Sequence, residues 1–133
     1  MIALDTNIVV RLLTNDAPAE AARARALLAR ERAFVGVTVV LETEWVLRSA
    51  YELSAGRVST GLRTLLDVST IDVEDRNRVL LALDWHDAGL DFADALHLAG
   101  AQVTGGATAL ATFDRKLKKR AARITGTPPV VIP

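Results

Sequence analysis

The sequence predicts an α/β protein in which a central, mainly parallel sheet lies between two layers of helices, a three-layer α/β/α sandwich. Short apolar segments alternate along the chain with longer segments of helical periodicity. Strands that alternate with helices favour a parallel sheet covered on both faces. Half of the 133 residues are hydrophobic, enough to fill such a core, and no linker or repeat divides the chain. We therefore expect a single domain over residues 1–133.

In the first half of the chain, predicted strands and helices alternate from the N-terminus onward. Residues 2–4 form an apolar run that stops at an acid, as a buried parallel strand does. Pro18 marks the start of a helix, because proline is tolerated only in a first turn. Thr38 is a suitable N-cap for the helix after the second strand. The predicted elements are a strand at 2–4, helices at 7–13 and 18–32, a strand at 34–37 and a helix at 39–51.

Glycines and prolines separate the elements of the second half. Gly56 and Gly89 interrupt helical patterns, and the pair Gly105 and Gly106 predicts a turn. Prolines on both sides of the last apolar run identify it as an edge strand. The predicted elements are helices at 58–67, 75–86, 92–103 and 115–123, and strands at 71–73, 107–112 and 130–132.

Composition excludes several classes of protein. Sixteen basic and sixteen acidic side chains cancel, so the net charge gives no sign of a nucleic-acid partner. The chain has no cysteine, which excludes disulfides, zinc–thiolate sites and a thiol nucleophile. The N-terminus lacks the regions of a signal peptide, and no apolar run approaches the roughly 20 residues that cross a bilayer. These features predict a soluble, cytoplasmic protein without membrane contact.

Two segments concentrate basic residues. The C-terminal basic segment contains Arg115, Lys116, Lys118, Lys119, Arg120 and Arg123. The N-terminal basic segment contains Arg23, Arg25, Arg30 and Arg32. Such clusters can hold a phosphate backbone, although a run of charges is more often the solvated face of a helix.

Four acidic residues are predicted to meet at one edge of the sheet. Asp5 and Asp114 each end a strand, and the carboxyl ends of parallel strands form the edge where sites lie. Glu42 lies in the first turns of the helix after the second strand, and Asp94 in the first turn of the apolar helix at 92–103. Neighbouring carboxylates repel one another unless a cation neutralises them. Because Mg²⁺ prefers carboxylate oxygens, the pattern predicts a divalent metal site.

Each acid also has a purely structural interpretation. Asp5 fits a plain turn, and Asp114 fits an N-cap for the last helix. Asp91 is a good N-cap for the helix at 92–103, so Asp94 falls at its third position, from which an acid can reach back to the cap. Thr112 would point to the same side of its strand as Asp114, where it could bond a ligand or a neighbouring acid.

Glu42 and Glu44 are the two candidates for a metal ligand in the third helix. Glu44 has Arg48 four residues later, the favourable spacing for an exposed ion pair. Glu42 shares a helical stripe with Val39 and Val46, and is therefore predicted to face inward. We expect Glu42 to be the ligand and Glu44 to lie on the surface.

Aromatic residues and histidines are expected to pack in the core. Trp45, Tyr51 and Phe113 occur at helical or strand spacing with apolar neighbours. His97, on an apolar helix one turn after Asp94, is more often a satisfied core residue than a ligand.

Four segments resemble the motifs of PIN domains. Residues 2–7 (IALDTN) are similar to the strand-Asp-Thr-Asn opening of the family, and residues 39–47 (VVLETEWVL) to its second acidic motif. Residues 91–99 (DFADALHLA) match the third motif and residues 112–117 (TFDRKL) the fourth. The likeness spans nearly the whole chain, with the motifs in order and at ordinary spacings.

The resemblance implies a magnesium- or manganese-dependent endoribonuclease, similar to bacterial toxins of the VapC type. Such toxins pair with a small antitoxin, whose C-terminal segment commonly fills the groove beside the acids, and they are usually homodimers. The carboxylates of Asp5, Glu42, Asp94 and Asp114 would bind metal and catalyse hydrolysis of RNA, with Asn7 and Thr112 in supporting roles.

The mechanism implied is metal-assisted hydrolysis. Asp5 and Asp94 would hold a first ion, which lowers the pKa of bound water, and Glu42 and Asp114 would complete its shell or hold a second ion. The basic segments would hold flanking phosphates. Two alternatives stay open: an inactive PIN-like module that binds RNA or a partner, and a phosphatase with Asp5 as nucleophile. The phosphatase pattern commonly has a second aspartate where this chain has Asn7.

Overall fold

The computed structural model describes residues 1–133, which divide into two compact units. The N-terminal unit is Met1–Arg76 and the C-terminal unit is Asn77–Pro133. Each unit contains its own parallel sheet, with three strands in the first and two in the second. The predicted α/β class and the parallel pairing of the strands are therefore confirmed.

The N-terminal unit alternates strands and helices around a sheet of order β1-β2-β3. Ile2 pairs with Ala33, and Val35 pairs with Val73, which sets the register of the three strands. Its elements are β1 (Ile2–Ala3), α1 (Thr6–Thr14), α2 (Pro18–Leu28), β2 (Ala33–Val35), α3 (Val37–Ser49), α4 (Ala55–Asp67) and β3 (Ile71–Val73). Pro18 is the first residue of α2, as predicted.

The core of the N-terminal unit forms where helices cover the strands. Val9 and Val10 of α1 are buried, and α1 packs against both α2 and α3. Helix α4 contributes an apolar stripe at helical spacing, with Val58, Leu62 and Leu65 buried. Full burial of one such side chain stabilises the fold by about 1.5–3 kcal/mol.

The C-terminal unit joins three helices to a short parallel pair of strands. Its elements are α5 (Arg76–Asp87, whose first residue belongs to the other unit), α6 (Phe92–Ala99), a π-helical segment (Gly100–Thr104), β4 (Leu110–Ala111), α7 (Arg115–Ala121) and β5 (Val130–Val131). Leu110 pairs with Val130, and Ala111 with Val131. Phe92 is fully buried, and Leu117 and Ala121 attach α7 through one face.

The predicted start of α3 is wrong. Thr38 does not cap this helix, which begins at Val37 after Gly36. The backbone N–H of Val37 donates instead to Oε2 of Glu74, at 2.7 Å. A carboxylate from 37 positions away therefore replaces the local hydroxyl cap.

Two aromatic residues that we expected in the core are exposed. Trp45 is 57% exposed and Phe113 is 81% exposed. His97, expected in the core as well, is also exposed. Tyr51 is partly buried and directs its hydroxyl to Asp16, at 2.6 Å. No helix is long and apolar enough to span a membrane.

Candidate active site

Asp5 directly follows β1 and is the N-cap of α1. Its Oδ1 accepts hydrogen bonds from the backbone N–H groups of Asn7, at 2.9 Å, and Ile8, at 3.4 Å. The structural interpretation of Asp5 as a turn-forming residue is thus correct, but it uses only one carboxylate oxygen. The exposed carboxylate keeps Oδ2 for another ligand.

The orientation predicted for the two glutamates of α3 is wrong. Glu42 is exposed, whereas Glu44 is buried and only 2% exposed. The buried face of α3 is the stripe Val40, Thr43, Glu44 and Leu47, because helical spacing places Thr43 and Glu44 on the same side as the apolar residues Val40 and Leu47. The ion pair between Glu44 and Arg48 is confirmed, with Nε 2.9 Å from Oε2. Exposure leaves the carboxylate of Glu42 accessible to a cation.

Asp91 has the capping role that the sequence predicts for it. Asp91 caps α6, since its Oδ2 accepts a hydrogen bond from the N–H of Asp94 at 3.3 Å. Asp94 lies in the first turn of the same helix, next to the fully buried Ala95. Its side chain is partly buried and is not needed as the cap.

Asp114 is the N-cap of α7, and its Oδ1 accepts a hydrogen bond from the N–H of Leu117 at 3.0 Å. Thr112 supports it, because the N–H of Asp114 donates to Oγ1 of Thr112 at 3.1 Å. The N-cap interpretation of Asp114 is therefore correct. The second carboxylate oxygen of Asp114 stays outside this bond.

Asp94 lies within electrostatic range of several charged groups of its own unit. Burial raises the pKa of Asp94, and the negative charges of Asp91 and Asp114 raise that pKa further. Positive charge on His97 and Arg120 acts in the opposite direction. Two other carboxylates of the C-terminal unit therefore act unfavourably on the ionised form of Asp94.

The structure distributes the four predicted acids over both units. Asp5 and Glu42 belong to the N-terminal unit, and Asp94 and Asp114 to the C-terminal unit. Within neither unit are three acidic or histidine side chains grouped closely enough to hold a metal ion. The chemistry of the donors fits Mg²⁺ or Mn²⁺, because carboxylate oxygens are hard ligands and Asp94 experiences repulsion that a cation would relieve. A joint metal site of all four acids stays a prediction.

The C-terminal basic segment forms most of α7. Leu117 and Ala121 are its buried residues, one helical turn apart. The cations project from the remaining surface of the helix and are exposed: Arg115, Lys116, Lys118, Lys119 and Arg120. Sequence reasoning did not find that Arg120 and His97 act on Asp94. The available signal was the position of His97 one helical turn after Asp94.

The parallel strands and the helices that follow them define an α/β protein. Asp5 and Asp114 each lie between a strand and the helix that they cap. Within that class, the chain belongs to the PIN domain family, whose sequence profile matches residues 2–123. The match contains Asp5, Glu42, Asp94 and Asp114.

A comparison with solved structures finds the Mycobacterium tuberculosis toxin VapC20, described as cleaving the sarcin–ricin loop. The two chains share 20% sequence identity with a TM-score of 0.44, over 97% of this chain and 100% of the toxin. No protein of curated function matches the sequence significantly.

Proposed function

We propose that this protein is a metal-dependent endoribonuclease that hydrolyses RNA phosphodiester bonds, and that it is the VapC-type toxin of a toxin–antitoxin pair. The observation that carries the proposal is membership of the PIN family over residues 2–123 with all four motif acids present. The repulsion that Asp94 experiences also supports a cation-binding role.

The proposed ligands of Mg²⁺ or Mn²⁺ are Asp5, Glu42, Asp94 and Asp114. A bound divalent ion would activate water for attack and stabilise charge on the departing oxygen. The cap bonds keep Asp5 and Asp114 in fixed orientations, so that their free oxygens are preorganised. Thr112 holds the backbone of Asp114 and thereby acts as a supporting residue.

The two basic segments are proposed to hold phosphates on either side of the cleaved bond. Their exposed cations supply affinity without sequence information. A cognate antitoxin and a second copy of the chain are the proposed protein partners, by analogy with VapC-type toxins. Light scattering of the purified protein measures the oligomeric state, and a monomer at micromolar concentration would contradict the dimer.

The test is cleavage of total bacterial RNA by the purified protein with Mg²⁺, with Mn²⁺ and with chelator. We expect cutting that needs a divalent ion and is lost in the variants Asp5→Asn and Asp94→Asn. Asparagine is an efficient N-cap, so Asp5→Asn removes the charge of residue 5 while keeping its cap. Cutting that survives chelation, or full activity of Asp94→Asn, would overturn the proposal.

Asp67→Asn is the matched control, because Asp67 is an exposed acid at the end of α4. This variant should cleave as fast as the unmodified protein. If both Asp94→Asn and Asp67→Asn lost activity, a general effect of surface charge would explain the loss better than a metal ligand.

A further inference from the structure

Phe113 is the most exposed large hydrophobic side chain of the chain, at 81%. A single exposed apolar residue is common on protein surfaces and needs no explanation by itself. Two further observations distinguish Phe113. The backbone on both sides of it is fixed, and the helix that follows it carries exposed cations.

The backbone of Phe113 is fixed between two anchored residues. The N–H of Thr112 donates to the carbonyl oxygen of Val131 at 3.0 Å, which ties this residue to β5. Asp114 is held by Oγ1 of Thr112 and by its own cap bond to Leu117. The phenyl ring is therefore presented to solvent from an ordered backbone, so that binding a ligand costs little further backbone entropy.

The exposed cations of α7 begin immediately after Asp114. Arg115 and Lys116 are its first two residues, and none of the salt bridges of the structure involves a cation of this helix. Single-stranded nucleic acid presents phosphates and unpaired bases in alternation, and proteins bind it with cations for the phosphates and aromatic rings for the bases. An exposed ring next to exposed cations has this combination.

We propose that Phe113 is a stacking platform for an unpaired nucleobase of single-stranded RNA, with the adjacent phosphates held by the cations of α7. The inference rests on the proposed ribonuclease function and specifies its substrate class. Stacking selects RNA that is single-stranded near Asp114, because a base within a duplex has no free face to offer. It tolerates every base, since each has an aromatic face.

Binding measured without cleavage tests the proposal. The probe is a mixed-sequence single-stranded RNA of about 12 nucleotides, compared with the same RNA annealed to its complement. All variants are made in the Asp94→Asn background. We expect Phe113→Ala and Phe113→Leu to weaken binding of the single strand about tenfold, and Phe113→Trp to preserve binding. Duplex binding should change less than twofold in the same variants.

Phe113→Trp also gives a direct signal, since stacking on a base should quench the fluorescence of the new indole on addition of single strand but not of duplex. Val103→Ala is the control, because Val103 is another exposed apolar residue of the same unit and should leave binding unchanged. All variants should keep the melting temperature of the parent. Unchanged affinity in Phe113→Ala, equal affinity of Phe113→Leu and the parent, or no binding of the probe by the parent would overturn the proposal.

The outcome separates this inference from the function on which it rests. In the otherwise unmodified enzyme, Phe113→Ala should raise KM about tenfold with kcat within twofold. If the enzyme cleaves RNA and Phe113→Ala changes neither affinity nor KM, the stacking role alone fails. If the parent binds the single strand through Phe113 but cleaves no RNA, the ribonuclease proposal alone fails.

Discussion

The guanidinium of Arg78 lies directly against the backbone of Gly100. A β-carbon at position 100 would stand 2.6 Å from Cζ and Nε of Arg78, well inside contact distance. In this position Nε of Arg78 donates a 3.0 Å hydrogen bond to the carbonyl oxygen of Leu96, near the end of α6. The π-helical segment begins at Gly100. A side chain on α5 thus adds a second donor to the carbonyl of Leu96, which also accepts from the N–H of Gly100 where the regular helix ends.

Gly100→Ala should destabilise the protein by about 1 kcal/mol. The methyl group would displace the guanidinium and weaken a charged hydrogen bond worth about 1.5–3 kcal/mol, offset by about 1 kcal/mol of helix propensity. In the background Arg78→Ala, the same change should instead stabilise, because only the propensity effect remains. Urea denaturation of the four proteins measures this cycle. Additive effects of the two substitutions would show that the contact has no energetic role.

Glu74→Ala should cost about 1 kcal/mol of stability, because it removes the acceptor for the N–H of Val37 at the start of α3. Thr38→Ala should change stability by less than about 0.5 kcal/mol, since Thr38 makes no cap bond. Chemical denaturation of both variants gives the comparison. If Thr38→Ala lost more unfolding free energy than Glu74→Ala, the local cap by Thr38 that the sequence predicts would be correct after all.

In Tyr51→Phe, the free energy of unfolding should fall less steeply as the pH is lowered than in the unmodified protein. Hydrogen bonds from Tyr51 and Thr14 lower the pKa of Asp16 below its ordinary value of 3.8, and the charge of Arg11 contributes in the same direction. A lowered folded-state pKa gives stability that is present above the unfolded-state pKa and lost as pH falls through the folded-state value. Without the hydroxyl of Tyr51, the pKa of Asp16 should rise.

The pKa of Asp16 can be followed by NMR titration of its carboxyl carbon. Asp16→Asn is the control for stability, because it should flatten the dependence of unfolding free energy on pH below about pH 4. An identical pKa of Asp16 in Tyr51→Phe would mean that the 2.6 Å bond contributes nothing to the ionisation of this carboxyl.

Asp94→Asn should raise the melting temperature of the metal-free protein. An acid in a first helical turn normally stabilises by about 0.3–1 kcal/mol. Burial and the charges of Asp91 and Asp114 raise the pKa of Asp94 and so disfavour its ionised form in the folded protein, and we expect this cost to exceed the benefit. Differential scanning fluorimetry in chelator measures the shift.

Addition of Mn²⁺ should reverse the order of the two proteins. The ion should stabilise the unmodified protein, because ligand binding to the folded state raises stability, and should stabilise Asp94→Asn much less. An equal shift in both proteins would remove Asp94 from the ligands. The measurement is independent of any RNA target.

Features determined by neighbouring residues could be predicted from the sequence. The apolar run before Asp5, proline at the start of α2 and the caps provided by Asp91 and Asp114 all depend on chemistry within a few positions. Such local rules give the order of the elements and place each acid at a strand or helix end. They also left the roles of Asp5 and Asp114 ambiguous, because one aspartate can both cap a helix and bind a ligand.

Features determined by distant contacts could not be predicted. The cap of α3 comes from Glu74, and no periodicity within the helix indicates it. The periodicity of α3 was compatible with two stripes, and packing of Val40 and Leu47 selected the one that buries Glu44. Phe113 is a large apolar residue of the kind that usually lies in a core, and its exposure follows from its place between β4 and α7. Tertiary packing decides each of these cases.

The strand that leads to Thr112 and Asp114 depends on chain that lies beyond the family match. The match ends at residue 123, whereas β4 pairs only with β5, at Val130–Val131. A protein shortened after Arg123 would contain every motif acid and yet lose the only strand that pairs with β4, together with the bond from the N–H of Thr112 to the carbonyl oxygen of Val131. Expression boundaries chosen from the motifs alone would therefore remove the support of the backbone beside Asp114, and the last ten residues belong in any minimal version of this protein.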